Sequence, residues 1–192
     1  GVVGIAIGTV LLPDLSRRLR AGDMQGGRDS FNRGTEFALA LTLPAAIALM
    51  VIALPLTSVL YQRGAFGPDD TAATALVLAI YGAGLPSFVL HKTLQPLFYA
   101  REDARSPFRY AVNSMVVNLV IAVGLMPWIG FAAAALATTV AGWTMAAQLW
   151  FGARKLGEAA RFDDRFRTRA PRIVVASLGM GRALAAAPVV LG

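Results

Sequence analysis

The sequence contains no cysteine and only one histidine, His91. Neither disulfides nor thiolate metal sites can form in it. Charge is scarce as well: Asp, Glu, Lys and Arg supply 15% of 192 residues, against about a quarter in soluble domains. They are wholly absent from four stretches, Leu39–Leu60, Thr71–Leu90, Ala111–Trp128 and Gly130–Phe151. The sequence shows no metal-ligand spacing, phosphate-binding glycine loop or nucleophile constellation, and no clustered acid–base pair such as a membrane-embedded enzyme would need. His91 stands in "VLHKTLQP" with no carboxylate beside it, which suits a packed or interfacial ring better than a catalytic one. The sequence reads as a non-enzyme with no cofactor.

What fills the space is hydrocarbon. Hydrophobic residues make up 56% of the chain, and each of the four uncharged stretches is close to the ~20 residues that cross a bilayer. In lipid a chain must satisfy its backbone internally, so the spans are helices. The expected fold is an all-α polytopic membrane bundle of about six segments, the first and last truncated. The first covers Gly1 to about Leu12 and carries Gly4 and Gly8 at GxxxG spacing, a helix-packing signal. The second covers about Gly34–Leu54, with Pro44 inside, and is followed by an outer stretch "PLTSVLYQRGAFGPDD". Asp70 and Thr71 are candidate caps for the third, about Thr71–Ala100, in which "GAGLP" marks a bend. The fourth runs from about Pro107 to Met126 and turns at "MPWIG", with Trp128 at interface depth. The fifth ends near Phe151 and the sixth starts near Arg172. Gly1 is not a natural translation start and lies inside an apolar segment, so the chain reads as part of a longer protein; that segment has no basic n-region and leads into further spans, so it does not read as a cleavable signal.

A formal net charge of +7 raises the question of nucleic acid. The positions of the charges answer it. Basic residues in successive connections number five (Pro13–Glu36), one (Pro55–Asp70), four (His91–Arg109), none (Pro127–Gly130) and seven (Gly152–Arg172). That alternation follows the positive-inside rule and puts "AREDARSPFR" on the cytoplasmic side, with no nucleic acid required. The polar linker "ARKLGEAARFDDRFRTRAPR" reads as an interfacial or disordered stretch, with Phe162 and Phe166 facing lipid and its arginines drawn to anionic lipid.

Few residues could carry function. Lys92 lies about eight residues before the inner end of the third helix, roughly 12 Å along the axis. An ionisable group at that depth is a functional candidate, and snorkelling to the headgroups is the structural alternative. Gln95 and Tyr99 follow at i+3 and i+7, on the same face. Asn113, Ser114 and Asn118 on the fourth helix, with Thr138, Thr139 and Thr144 on the fifth, suit interhelical hydrogen bonds. The sharper alternative is a small-cation site of oxygens from both helices, weak for want of a carboxylate. Arg182 is a further buried-charge candidate.

Several stretches together resemble one family. "GVVGIAIGTVLLPDLSR", "YQRGAF", "KTLQPLFYAREDARSPFR" and "VVNLVIAVGLMP" are similar, in order, to the second half of the MurJ (MviN) family of bacterial lipid II flippases, as far as about Arg154. The resemblance implies the MATE-like architecture of an exporter superfamily, with this chain covering about helices 8 to 13. Residues 1–151 would form second-lobe helices, 152–171 a basic cytoplasmic linker, and 172–192 the start of a C-terminal groove helix. It further implies a multi-pass protein of the bacterial cytoplasmic (inner) membrane, moving undecaprenyl-pyrophosphoryl disaccharide-pentapeptide outward by alternating access for peptidoglycan synthesis. Lys92, Gln95 and Tyr99 would bind the substrate lipid, among surrounding membrane lipids. Asn118 and Thr138 match positions linked to a monovalent cation, although Ala122, one turn after Asn118, departs from a carboxylate pattern. A sister exporter of another lipid-linked oligosaccharide or drug, and an inert membrane scaffold, remain as alternatives.

Overall fold

The computed structural model describes residues 13–18, 21–64, 66–155, 157 and 162–187. The expected first span, with Gly4 and Gly8, lies outside the described residues. Residues 13–18 form a helical turn that leads into α1 (Met24–Val51). Asp23 opens α1 by accepting a hydrogen bond from Gly26 N–H at 2.8 Å. The helix starts ten residues before the expected Gly34, because amphipathic turns at its basic end pack rather than loop. It ends at Val51 for a local reason: Pro55 cannot donate to Val51 C=O, and its ring crowds that carbonyl. The chain then resumes as α2 (Ala53–Tyr61), so half of the expected outer stretch is helical.

Gly67 precedes α3 (Pro68–Tyr99). Asp70 accepts from Gly67 N–H at 3.0 Å and Thr71 donates to Gly67 C=O at 2.9 Å, so both expected caps serve the same residue. Asp69 and Asp70 also oppose the positive end of the helix dipole. α3 runs unbroken through Pro86 and Pro96. α4 (Arg105–Ile129) and α5 (Ala132–Arg154) are joined at Gly130, whose φ of 57° is left-handed and suits glycine. Trp128, 84% exposed, stands at this turn. α6 (Asp164–Ala186) starts at Asp163, which accepts from Phe166 N–H at 2.6 Å, well before the expected Arg172.

The helices pack in the order α4, α5, α3, α1, α6, with α2 against α3. α1, α3 and α4 are long and apolar enough to cross a membrane. α5 has 23 residues, no charge before Arg154 and a high content of alanine, threonine and glycine. Those small residues give it another use. Ala132, Ala133, Ala135, Ala137, Ala141 and Ala146 are buried, and α5 sits between α3 and α4 as the close-packed centre.

The largest buried side chains gather at the end that carries the basic loops. Leu15, Phe31, Leu94, Leu97, Phe98 and Leu149 form one cluster there. Phe162 joins it instead of facing lipid: its ring stacks on Phe166 at 4.0 Å, Trp150 at 4.3 Å and Phe31 at 5.8 Å. Phe166 is itself buried. The lipid-facing assignment of this pair was incorrect because an i, i+4 aromatic spacing describes a face without saying what covers it.

Candidate functional site

α3 presents its two faces to different surroundings. His91, Thr93, Leu94, Pro96, Leu97 and Phe98 are buried against neighbouring helices. Lys92 and Tyr99 are exposed and Gln95 is intermediate, so the three sequence-expected residues line the face turned away from the bundle. Pro96, on the buried side, has no N–H to donate to the Lys92 carbonyl four residues earlier. The outward face of this stretch therefore offers an ammonium group, an amide and a phenol.

A second polar region lies between α3, α4 and α5. Asn118 Nδ2 donates to Thr138 Oγ1 at 3.3 Å, while that hydroxyl donates to Ala134 C=O at 2.8 Å. The structure thus brings the two candidate cation residues together, in a pairing that already satisfies the hydroxyl proton. They border a cleft of about 340 Å³ also lined by Phe88, His91, Ser114 and Met145. Ser114 Oγ donates to Ala141 C=O at 2.7 Å, and Asn113 Nδ2 to Gln148 Oε1 at 3.2 Å. Thr139 Oγ1 donates across to Ile80 C=O at 2.9 Å. Thr144, expected to bond across helices, donates within α5 to Val140 C=O at 2.8 Å.

His91 is a packed residue. Its Nε2 lies 2.8 Å from Gly142 C=O and must be the donor, since a carbonyl only accepts, and its ring meets Phe88 edge-on at 5.8 Å. Trp143 Nε1 donates to Ala83 C=O at 3.1 Å, a bond that sequence reading missed. An indole within an apolar span was the available signal, because an indole N–H away from water needs an acceptor. Arg182 is exposed on α6 and is not buried in the bundle. Among the described residues no cluster of metal-ligating side chains is present.

A third feature is an open apolar groove of about 440 Å³ between α1, α3, α5 and α6, lined by Leu39, Leu94, Trp143, Trp150, Phe166 and Ala170 among others. Arg154 lies over its rim, 5.3 Å from the Trp150 ring. Outside the spans, two carboxyl groups are held below their ordinary value. The Ser30 hydroxyl, with Arg18 beside it, lowers Asp14, and the hydrogen bond to Ser106 lowers Asp103.

Unbroken apolar helices, basic loops on one side, polar contacts confined to helix–helix seams and a cation on an outer face define a multi-pass α-helical membrane protein. Sequence comparison narrows the class. The family model for lipid II flippase MurJ matches residues 1–191. A probable lipid II flippase MurJ of Rhizobium meliloti (strain 1021) is 46% identical over 184 residues, covering 96% of this chain and 34% of that protein. One from Rhizobium tropici is 44% identical over 181 residues, covering 94% and 34%. The lipid II flippase MurJ of Burkholderia cenocepacia is 33% identical over 156 residues, covering 81% and 30%. The chain belongs to the MurJ family, and it spans about a third of the length of these relatives.

Proposed function

We propose that the full-length protein moves lipid II from the inner to the outer leaflet of the bacterial cytoplasmic membrane by alternating access, without making or breaking a covalent bond. The observation that carries this reading is the family match along residues 1–191, together with the printed names of the relatives. In this reading residues 1–151 belong to the second lobe, the connection between α5 and α6 lies in the cytoplasm, and α6 borders a lipid groove. Lys92 faces the transport cavity near its cytoplasmic mouth. Its ammonium pairs with the pyrophosphate by charge-assisted hydrogen bonds, while Gln95 and Tyr99 meet hydroxyl and amide groups of the headgroup. The polyprenyl tail stays in hydrocarbon, and the apolar groove beside α6 suits such a chain. Proline-bearing helices at a lobe interface are a usual setting for a transported substrate.

A monovalent cation is a second candidate ligand, at the oxygens of Asn118 and Thr138. Titration of sodium into the full-length protein and its Asn118→Leu variant tests it; identical heats would remove this ligand.

The test of function is access of lipid II to an externally added probe or hydrolase. On depletion of the full-length protein, in a strain with no second flippase, outer-leaflet access should cease while synthesis on the inner leaflet continues. Lys92→Ala should impair complementation more than Lys92→Arg at equal protein level. Persistent access after depletion would transfer the reading to a sister exporter, and full complementation by Lys92→Ala would leave Lys92 a snorkelling residue.

A further inference from the structure

The start of α6 carries four arginines within eight residues: Arg165, Arg167, Arg169 and Arg172. Arg165, Arg169 and Arg172 are spaced i, i+4 and i+7 and so share one helix face. That face meets one carboxylate, Glu36 of α1. Arg169 Nη1 lies 2.9 Å from Glu36 Oε1, and Arg165 Nε lies 3.6 Å from Glu36 Oε2. The Glu36 side chain is only 15% exposed, whereas each of the two arginine side chains is 50% exposed. A guanidinium has five N–H donors, so these two contacts leave most donors of Arg165 and Arg169, and those of the exposed Arg172, turned outward. The other carboxylates at this end have their own work. Asp163 caps Phe166 N–H, and Asp164 sits exposed in the first turn, where it opposes the helix dipole.

Directly beyond Arg172 the exposed residues become Val174, Val175 and Leu178. The helix passes from guanidinium to hydrocarbon within about two turns, as a segment does where headgroups give way to acyl chains. The acidic groups at that depth on the cytoplasmic side are lipid phosphates.

The anchoring of α6 prepares this face. On α1, Arg28, Asn32 and Glu36 stand at i, i+4 and i+8. Arg28 Nη2 donates to Phe162 C=O at 3.0 Å, and Asn32 Oδ1 accepts from Asp163 N–H at 3.2 Å. With Phe162 stacked among Phe31, Trp150 and Phe166, the first turn of α6 is held before any ligand arrives. A ligand then finds its donors already oriented and loses less affinity to ordering them.

We propose that Arg165, Arg169 and Arg172 form a binding site for the phosphate headgroup of an anionic phospholipid at the α1–α6 junction, with Glu36 as a built-in competitor for two of the three guanidiniums. The site rests on the membrane orientation given above and is independent of which lipid is transported.

Native mass spectrometry of the full-length protein, with phosphatidylglycerol or phosphatidylcholine added, tests it. Wild type should retain phosphatidylglycerol and not phosphatidylcholine. Arg172→Gln, at an exposed residue, should lower retention at least about fivefold, the factor that one basic group contributes at an anionic surface. Glu36→Gln should raise retention, because it frees Arg165 and Arg169, and Arg105→Gln in the α3–α4 connection should change nothing. Inorganic phosphate at the same concentration should not displace the lipid. Equal losses from Arg105→Gln and Arg172→Gln would mean diffuse surface attraction and overturn the site, as would a Glu36→Gln variant that retains no more lipid than wild type. Retention is read without transport, so a negative result leaves the flippase reading standing.

Discussion

Gly142 marks a close contact between α5 and α3. A Cβ added there would lie 2.6 Å from Ser87 Oγ and 3.5 Å from Phe88 Cζ, closer to the hydroxyl than real Cβ atoms come. Ser87 cannot simply swing aside, because it is fully buried and its hydroxyl donates to Gly84 C=O at 2.7 Å. The same glycine supplies the carbonyl that His91 meets, so close approach and hydrogen bond depend on one another. Gly142→Ala should therefore cost about 1–3 kcal/mol by overpacking, read as a lower unfolding midpoint in detergent. Ser87→Ala in the same chain should recover part of that loss; if the two losses simply add, the Ser87 contact is not the cause. Nothing in "VAGWT" distinguishes Gly142 from any other glycine in an alanine-rich helix. Lys92 was legible for the opposite reason, since a charge between apolar runs is conspicuous in the sequence itself.

The stretch "FYAREDARSP" shows how much one connection can specify. After α3 the chain closes a six-residue C-cap: Asp103 N–H donates to Phe98 C=O at 3.1 Å and Glu102 N–H to Tyr99 C=O at 3.0 Å. Glu102 takes the left-handed position, φ 61°, that glycine usually fills. Asp103 then opens α4 by accepting from Ser106 N–H at 3.0 Å. Two helix ends are thus finished around a five-residue connection, Ala100–Ala104, whose charged residues are the types such ends need. Hydrogen bonding from Ser106 lowers the Asp103 carboxyl below its ordinary 3.8. A carboxyl depressed in the folded state stabilises above its ordinary value and loses that contribution as pH falls through the lower, folded-state value. The acid limb of stability below about pH 3.8 should therefore shift in Asp103→Asn, which still caps but does not titrate. Asp103→Ala should lose about 1 kcal/mol at neutral pH. Thermal unfolding at pH 3 and pH 7 measures both, and an unchanged acid limb in Asp103→Asn would count against the cap. α1 and α6 were less legible at this scale. Their starts lie in charged text that reads as linker, and only the contacts between Arg28, Asn32, Glu36 and the start of α6 make it helix.

For the whole molecule, orientation is the property that every functional statement depends on. The absence of cysteine allows single cysteines to be introduced directly. In intact cells a cysteine at Ala104 should be shielded from an impermeant thiol reagent, and one at Gly67, before α3, should be labelled. The reverse pattern would invert the topology. The sequence by itself determined the class and the helical content, because hydropathy acts on the chain residue by residue through its solvent. It also determined that Lys92, Gln95 and Tyr99 share a face, which helix geometry requires of any i, i+3, i+7 set. Only the tertiary structure decided that α5 is the close-packed centre, that Phe162 turns into the core and that Glu36 meets two arginines about 130 residues away. These depend on which helix lies beside which, and helix order is set by side-chain fit between segments distant in the chain, a quantity that no local pattern encodes.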